Sequence, residues 1–224
     1  SVLPSKSWHA LKFVIRDCKV YQKSGYSKPT RGYTFSAAGR VLLENCFADT
    51  TTLSFNPFVG DYGYTYAQNV TEDQAYDFTF RDCVHAGGDV AFSADCISAG
   101  VDSSPVWDGT DYNTSVLIDG FEIDGNDSTD GLMIAFTGNN KVTCKNVNLY
   151  SDNVSQTREF FYVQLCNNVY VNGNFKHHRY MRLRTTKYVT VDGCNISKPA
   201  STPDATSYVI TIEGVSFADI TNNL

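Results

Sequence analysis

A chain of 224 residues with 42% hydrophobic and 13% aromatic residues carries enough apolar material for a packed core. Its 19% charged residues are few for a helical protein and ordinary for stacked strands. A net charge of -6 and a pI near 5.1 exclude a broad basic surface, and no run of about 18 apolar residues is present, so neither nucleic-acid binding nor membrane insertion is expected.

From Phe13 onward one phrase returns eight times: apolar, any, apolar, polar, small or polar, apolar, any, apolar. It starts at Phe13, Val41, Phe78, Val116, Val142, Val169, Val189 and Ile210. Its fifth place holds Asp17, Asn45, Asp82, Gly120, Asn146, Gly173, Gly193 and Gly214. Successive starts are 28, 37, 38, 26, 27, 20 and 21 residues apart by subtraction. A unit of roughly 20–28 residues is the period of stacked β-rungs and is too short for a propeller blade. Alternation through places one to three predicts a short strand, the residue at place five breaks it, and alternation then resumes, so two strands meet at a corner.

Further apolar runs precede the phrase at 33–36, 133–136, 161–164 and 181–184, each followed by a polar bend. Three short strands per turn predict a coil in which every strand pairs with its equivalents above and below. Inward residues then form ladders such as Ile15, Leu43, Phe80, Ile118, Cys144, Val171, Val191 and Ile212, and amides at the bends bond one another along the stack. Cys18, Cys46, Cys83 and Cys194 occupy the sixth place, where other copies hold Phe121, Val147, Asn174 and Val215. That column predicts buried free thiols acting as small hydrophobes. A Cys18–Cys46 disulfide between neighbouring rungs about 4.8 Å apart stays open.

Helix signals are confined to a single turn at 69–76, capped by Thr71. Inserts at 21–31, 55–74, 99–113, 124–131 and 151–159 lengthen the rungs, and the most aromatic of them runs through 58–66. Loops on a rigid coil are where binding usually sits. One domain over 1–224 is expected. Ser1 enters without an evident capping helix and Thr221-Asn222-Asn223-Leu224 reads as a bend leading to another strand, which predicts an excerpt of a longer chain.

The phrases Ile118-Asp119-Gly120-Phe121-Glu122-Ile123-Asp124-Gly125-Asn126 and Val189-Thr190-Val191-Asp192-Gly193-Cys194-Asn195-Ile196 resemble the pectin-lyase-like superfamily, most of all the version in phage tailspikes and polysaccharide depolymerases. The resemblance covers nearly the whole chain and is specific to fold. It implies an all-β, right-handed, single-stranded parallel β-helix of about eight or more rungs with loop inserts. It also implies a homotrimer on a virion tail or otherwise extracellular, binding and often cleaving bacterial surface polysaccharide with Asp and Glu of the outer face. No cofactor or metal is implied, and the superfamily has no fixed catalytic motif to carry over.

Glycoside cleavage needs two carboxyls, one as acid and one as base or nucleophile. Places two, four and seven point outward, so Asp119 and Glu122 share an outer surface with Asp124 and the following Asp127 and Asp130; these make the catalytic candidates Asp119, Glu122 and Asp124. The competing reading makes Asp119 a solvated place-four residue like Glu44, Asp192 and Glu213, with Asp124 shaping a turn. Arg81 and Lys145 fall in the column of Asp119.

A second group sets Arg182 and Arg184 beside Tyr162 and Gln164, with His178 and the insert residue Trp107 as further sugar contacts. Arg forks suit carboxylate or sulfate and aromatic faces suit sugar rings, so this face reads as a site for an acidic glycan, or else as a solvated or subunit-facing charged strand. Adjacent His177 and His178 are expected on opposite faces, which argues against one metal shared by both. Asp82, His85, Asp89 and Asp95 could supply a base, but His85 falls in the inward eighth-place column, where a hydrogen-bonded corner histidine is expected. The leading functional expectation is polysaccharide hydrolysis; the rivals are a non-catalytic receptor-binding or structural module and a polysaccharide lyase.

Overall fold

The chain is seen in a computed structural model that describes residues 12–21, 33–36, 40–49, 58–61, 76–86, 92–95, 114–125, 134–137, 139–154, 159–199 and 209–224. The first turn holds β1 (Lys12–Arg16), β2 (Lys19–Tyr21) and β3 (Tyr33–Ser36), and the second β4 (Arg40–Glu44), β5 (Phe47–Asp49) and β6 (Phe58–Asp61). The third holds β7 (Tyr76–Arg81), β8 (Val84–Ala86) and β9 (Phe92–Asp95), and the fourth β10 (Thr114–Asp119), β11 (Glu122–Asp124) and β12 (Ile134–Thr137). The two-face strand β13 (Lys141–Tyr150) with β14 (Phe161–Gln164), then β15 (Asn168–Lys176) with β16 (Met181–Arg184), make the fifth and sixth. Next come β17 (Tyr188–Asp192), β18 (Asn195–Ser197) and β19 (Ile210–Glu213), and β20 (Phe217–Thr221) opens a further turn.

Every pairing among these strands is parallel and links equivalent strands of neighbouring turns. Face one stacks β1, β4, β7, β10, β13, β15, β17 and β20. Face two stacks β2, β5, β8, β11, the second halves of β13 and β15, and β18. Face three stacks β3, β6, β9, β12, β14, β16 and β19. An all-β chain wound this way is a parallel β-solenoid, and the described residues contain no helix. The 69–75 segment, where a helical turn is expected, lies outside the described residues, and Tyr76 begins β7. Phe58–Asp61, expected as part of an insert, is instead the face-three strand of its turn.

Corners between faces one and two come from place five. Asp17, Asn45, Asp82, Gly120, Asn146, Gly193 and Asn222 all have φ between 50° and 72°, the left-handed region open to Gly and tolerated by Asn and Asp. Corner amides are satisfied from the next turn: Asp82 N–H donates to Asp119 O at 2.8 Å and Gly120 N–H to Lys145 O at 3.2 Å. The expected amide bonding along the stack is present where Asn45 Nδ2 donates to Asp17 Oδ1 (2.6 Å) and Asn167 Nδ2 to Asn140 Oδ1 (3.1 Å).

Two copies of the phrase depart from the expected register. Between β13 and β15 the pairing slips after Cys144↔Val171, so Lys145 and Asn146 lie opposite the single residue Asn172 and Val147 meets Gly173. Gly173, not Asn174, therefore fills the sixth-place column, and Asn174 faces outward. The phrase at Ile210 belongs to face three, where Ile210 pairs with Met181. The eighth member of face one is β20, with Ala218 against Val189, Ile220 against Val191 and Asn222 at the corner. A polar phrase with a left-handed fifth residue also closes face three, at Leu165, Thr185 and Gly214, which is why Ile210 mimics the other copies.

The inward ladders close the core. Leu43, Phe78, Phe80, Ile118, Phe121, Phe136, Phe160, Phe161 and Phe175 are all buried, each side chain contributing about 1.5–3 kcal/mol by leaving water. Cys46, Cys83, Cys144, Cys166 and Cys194 are buried free thiols, whereas Cys18 on the first turn is free and exposed. Burial pushes the Cys83 thiol up to about 12 and that of Cys194 to about 11.

Candidate functional site

Face two carries a groove of about 660 Å³ whose polar lining comes from two outward columns. Registry sets Val84, Glu122, Asn148, Asn174 and Asn195 in one column, and Ala86, Asp124, Tyr150, Lys176 and Ser197 in the other. Alternation of strand side chains puts the intervening Ile123, Leu149 and Phe175 into the core beneath them. Asn174 Nδ2 donates to Asn148 Oδ1 at 2.8 Å. The Lys176 ammonium lies 4.6 Å over the Tyr150 ring and 2.8 Å from Asp152, which also accepts from the Tyr150 hydroxyl. The Asp152 contact comes first in raising Lys176, and Lys176 in turn holds the Asp152 carboxyl below its ordinary range.

Of the three expected catalytic carboxylates, Glu122 and Asp124 line this groove and Asp119 does not. Asp119 ends β10 on face one, across the Gly120 corner, and stands in a column of alternating charge: Arg16, Glu44, Arg81, Asp119, Lys145. Glu44 bridges Arg16 at 2.6 Å and Arg81 at 3.0 Å, and both guanidinium hydrogen bonds lower its carboxyl. Lys145 reaches Asp119 Oδ2 at 2.9 Å and Asn146 Nδ2 donates to Oδ1 at 2.8 Å. Burial pushes Asp119 up, but Lys145 and Asn146 outweigh it and hold the carboxyl below its ordinary value.

On face three the expected neighbours are together: Tyr162 pairs with Arg182 and Gln164 with Arg184, as aligned from the sequence. The next strand adds Glu213, whose Oε2 is 3.0 Å from Arg182 Nη2 and 3.7 Å from Arg184 Nε. Both forks are thus held by a carboxylate of the protein itself. The Tyr162 hydroxyl donates to Gln164 Oε1, and burial raises its proton affinity against the pull of Arg184.

His178 is not on that outer face. His177 and His178 follow the end of β15 at a corner, where strand alternation no longer applies, so both are buried with their rings stacked 5.1 Å apart. Arg179 N–H donates to His177 Nδ1 at 3.0 Å. Burial first, then the electrostatic influence of the neighbouring His178 and Arg179, lower His177 to about 3. His85 points inward as expected, between Ala48 and Ile123, but neither ring nitrogen has a hydrogen-bond partner among the described residues; burial alone lowers it to about 3. Among the described residues no group of three or more His, Cys, Asp or Glu is placed to hold a metal ion. Trp107 and Asp89 lie outside the described residues, as does the side chain of Asp95.

The sequence reasoning did not single out the amide column Asn148, Asn174 and Asn195 or the Tyr150–Lys176 pair. Asn148 and Tyr150 hold places seven and nine of the copy at Val142, and Asn195 holds place seven of the copy at Val189. The slip at Gly173 moves Asn174 and Lys176 one place out of that count.

The fold and groove together define an all-β parallel solenoid with a polar, carboxylate-bearing channel crossing its turns. No family model, no curated protein and no solved structure matches the chain. No helix among the described residues is long and apolar enough to cross a membrane.

Proposed function

We propose that this chain is a right-handed parallel β-helix module of the pectin-lyase-like kind, part of a trimeric, tailspike-like virion protein that binds and hydrolyses bacterial surface polysaccharide along face two. The observation that carries the reading is the groove built from two registered columns, with Glu122 and Asp124 side by side next to Val84 and Ala86, and amides, an aromatic ring and an ammonium on the following turns. Rung spacing of about 4.8 Å sets these groups at intervals that suit successive sugars of an extended chain.

Glu122 and Asp124 are two residues apart on β11 and both exposed on the same side. Their Cα atoms are therefore about 7 Å apart, and carboxyls held near that spacing would suit the wider separation of roughly 6.5–9.5 Å used by inverting glycosidases. One carboxyl protonates the leaving oxygen and the other takes a proton from the attacking water. Asp119 is left as a member of the charge ladder, and Arg182 and Arg184 as partners of Glu213.

A non-catalytic receptor-binding module is the second reading, favoured by the exposure of both Glu122 and Asp124 on β11. The two separate on incubation with capsule and lipopolysaccharide from a panel of hosts, followed by assays for reducing ends and for ultraviolet absorbance of unsaturated products. New reducing ends without that absorbance support hydrolysis. Binding without either product leaves the binder, and unsaturated products would identify a lyase.

A further inference from the structure

The groove lining carries carboxylates, whereas the basic residues of face three suggest an acidic glycan in the sequence. Glu122 and Asp124 line it, and Asp152 stands at Lys176, the one ammonium of the lining. Among the described lining residues Lys176 is the one cation, and it is already engaged by Asp152 and by the Tyr150 ring. A uronate or sulfate group placed here would approach the exposed Glu122 carboxylate with no uncommitted positive partner among the described lining residues.

The rest of the lining is neutral and bifunctional. Asn148, Asn174 and Asn195 succeed one another on three turns in register. The single bond from Asn174 Nδ2 to Asn148 Oδ1 leaves the Asn148 NH2 and the Asn174 carbonyl oxygen to a ligand. Side-chain amides supply two donors and an acceptor each, which matches sugar hydroxyls and acetamido groups and offers nothing special to an anion. Tyr150 adds an exposed ring beside them.

Resting on the polysaccharide reading above, we infer that the face-two groove takes a neutral or N-acylated glycan laid across the turns, along the Asn148–Asn174–Asn195 column, and rejects polyanionic glycans. Such selectivity has a characteristic salt dependence, because exposed charges are screened within about 8–10 Å at ordinary ionic strength. Affinity for a neutral chain stays nearly flat with salt, while any binding of a polyanion strengthens as salt masks the repulsion.

The test is titration calorimetry of the whole chain with oligosaccharides of matched length, one set of neutral hexoses and N-acetylhexosamines and one containing uronates, between about 0.1 and about 1 M salt. The Glu122→Gln/Asp124→Asn double variant and Asn174→Ala are measured alongside. Neutral chains are expected to bind at least about tenfold more tightly at low salt and to lose affinity in Asn174→Ala, whereas the double variant is expected to gain uronate binding. Tighter binding of uronates that weakens with salt would overturn the charge assignment and leave polysaccharide recognition standing. Binding of neither set, nor of the parent capsules, would overturn the polysaccharide reading and this inference with it.

Discussion

Gly173 and the carbonyl of Val147 are in a contact that admits no side chain: a Cβ at Gly173 would lie 2.3 Å from Val147 O and 3.1 Å from the Phe175 ring. The contact exists because β15 passes the corner with one residue fewer than β13. Neither backbone nor a fully buried ring can yield cheaply. Gly173→Ala is expected to cost about 3 kcal/mol. Gly193 is glycine for a different reason: its φ is +63°, and a Cβ there would meet only the Asn172 side chain at 3.0 Å. Since Asn45, Asn146 and Asn222 hold the same conformation in other turns, Gly193→Asn is expected to cost under about 1 kcal/mol. Urea unfolding of the two variants measures the difference, and equal losses would contradict the register slip.

The place-four ladder separates Asp119 from the groove. Cross-strand ion pairs of this exposure contribute about 0.2–1 kcal/mol each. Asp119→Asn is therefore expected to lower the urea midpoint slightly, while glycan cleavage stays within a factor of about 2. A loss of cleavage comparable to that of Glu122→Gln, in a variant with a normal unfolding midpoint, would return Asp119 to the catalytic pair.

Two buried histidines make stability sensitive to mild acid. His85 and His177 are lowered from 6.5 to about 3 in the folded chain, so between those values the unfolded chain binds more protons. Stability is full above about pH 6.5 and falls as pH drops toward 3, by up to about 1.4 kcal/mol per pH unit for each histidine. His85→Leu is expected to flatten the slope between about pH 6.5 and 5 by one proton, read as the pH dependence of the unfolding free energy. An unchanged slope would place the titration elsewhere.

The thiols report on the same core. With Cys96, which lies outside the described residues, replaced by Ser, Cys18 is expected to react with an aromatic disulfide reagent at pH 8 within seconds to minutes. Cys46, Cys83, Cys144, Cys166 and Cys194 are expected to react only on unfolding, because burial keeps their protons on or shields the sulfur. Rapid reaction of Cys83 in the native chain would contradict the stacked interior.

Much of the coil was legible because its physics is local. Gly, Asn and Asp recur at the left-handed corners between faces one and two, and the alternation of Phe78, Phe80 or Val189, Val191 marks inward positions without any knowledge of their neighbours. The strands 161–164 and 181–184 match β14 and β16 residue for residue. Ile210 misled because face three ends in the same left-handed corner as face one, and only pairing to Met181 tells them apart. Asn174 misled because a one-residue slip leaves no mark in the hydrophobic pattern until Gly173 meets Val147. The groove was half legible. Glu122 and Asp124 stood out as carboxylates, whereas Asn148, Asn174, Asn195, Tyr150 and Lys176 acquire meaning only when separate turns are stacked. Glu213 was assigned to the wrong face, which hid its hold on Arg182 and Arg184.

The most direct test of the account is the pair of wild-type chain and Glu122→Gln on one polysaccharide that both bind, followed by release of reducing ends. The wild type is expected to cleave, and Glu122→Gln to retain affinity while turnover falls by a factor of about 10² to 10⁴. Turnover at the wild-type rate in Glu122→Gln, with the coil still folded, would contradict the assignment of the face-two groove as the hydrolytic site.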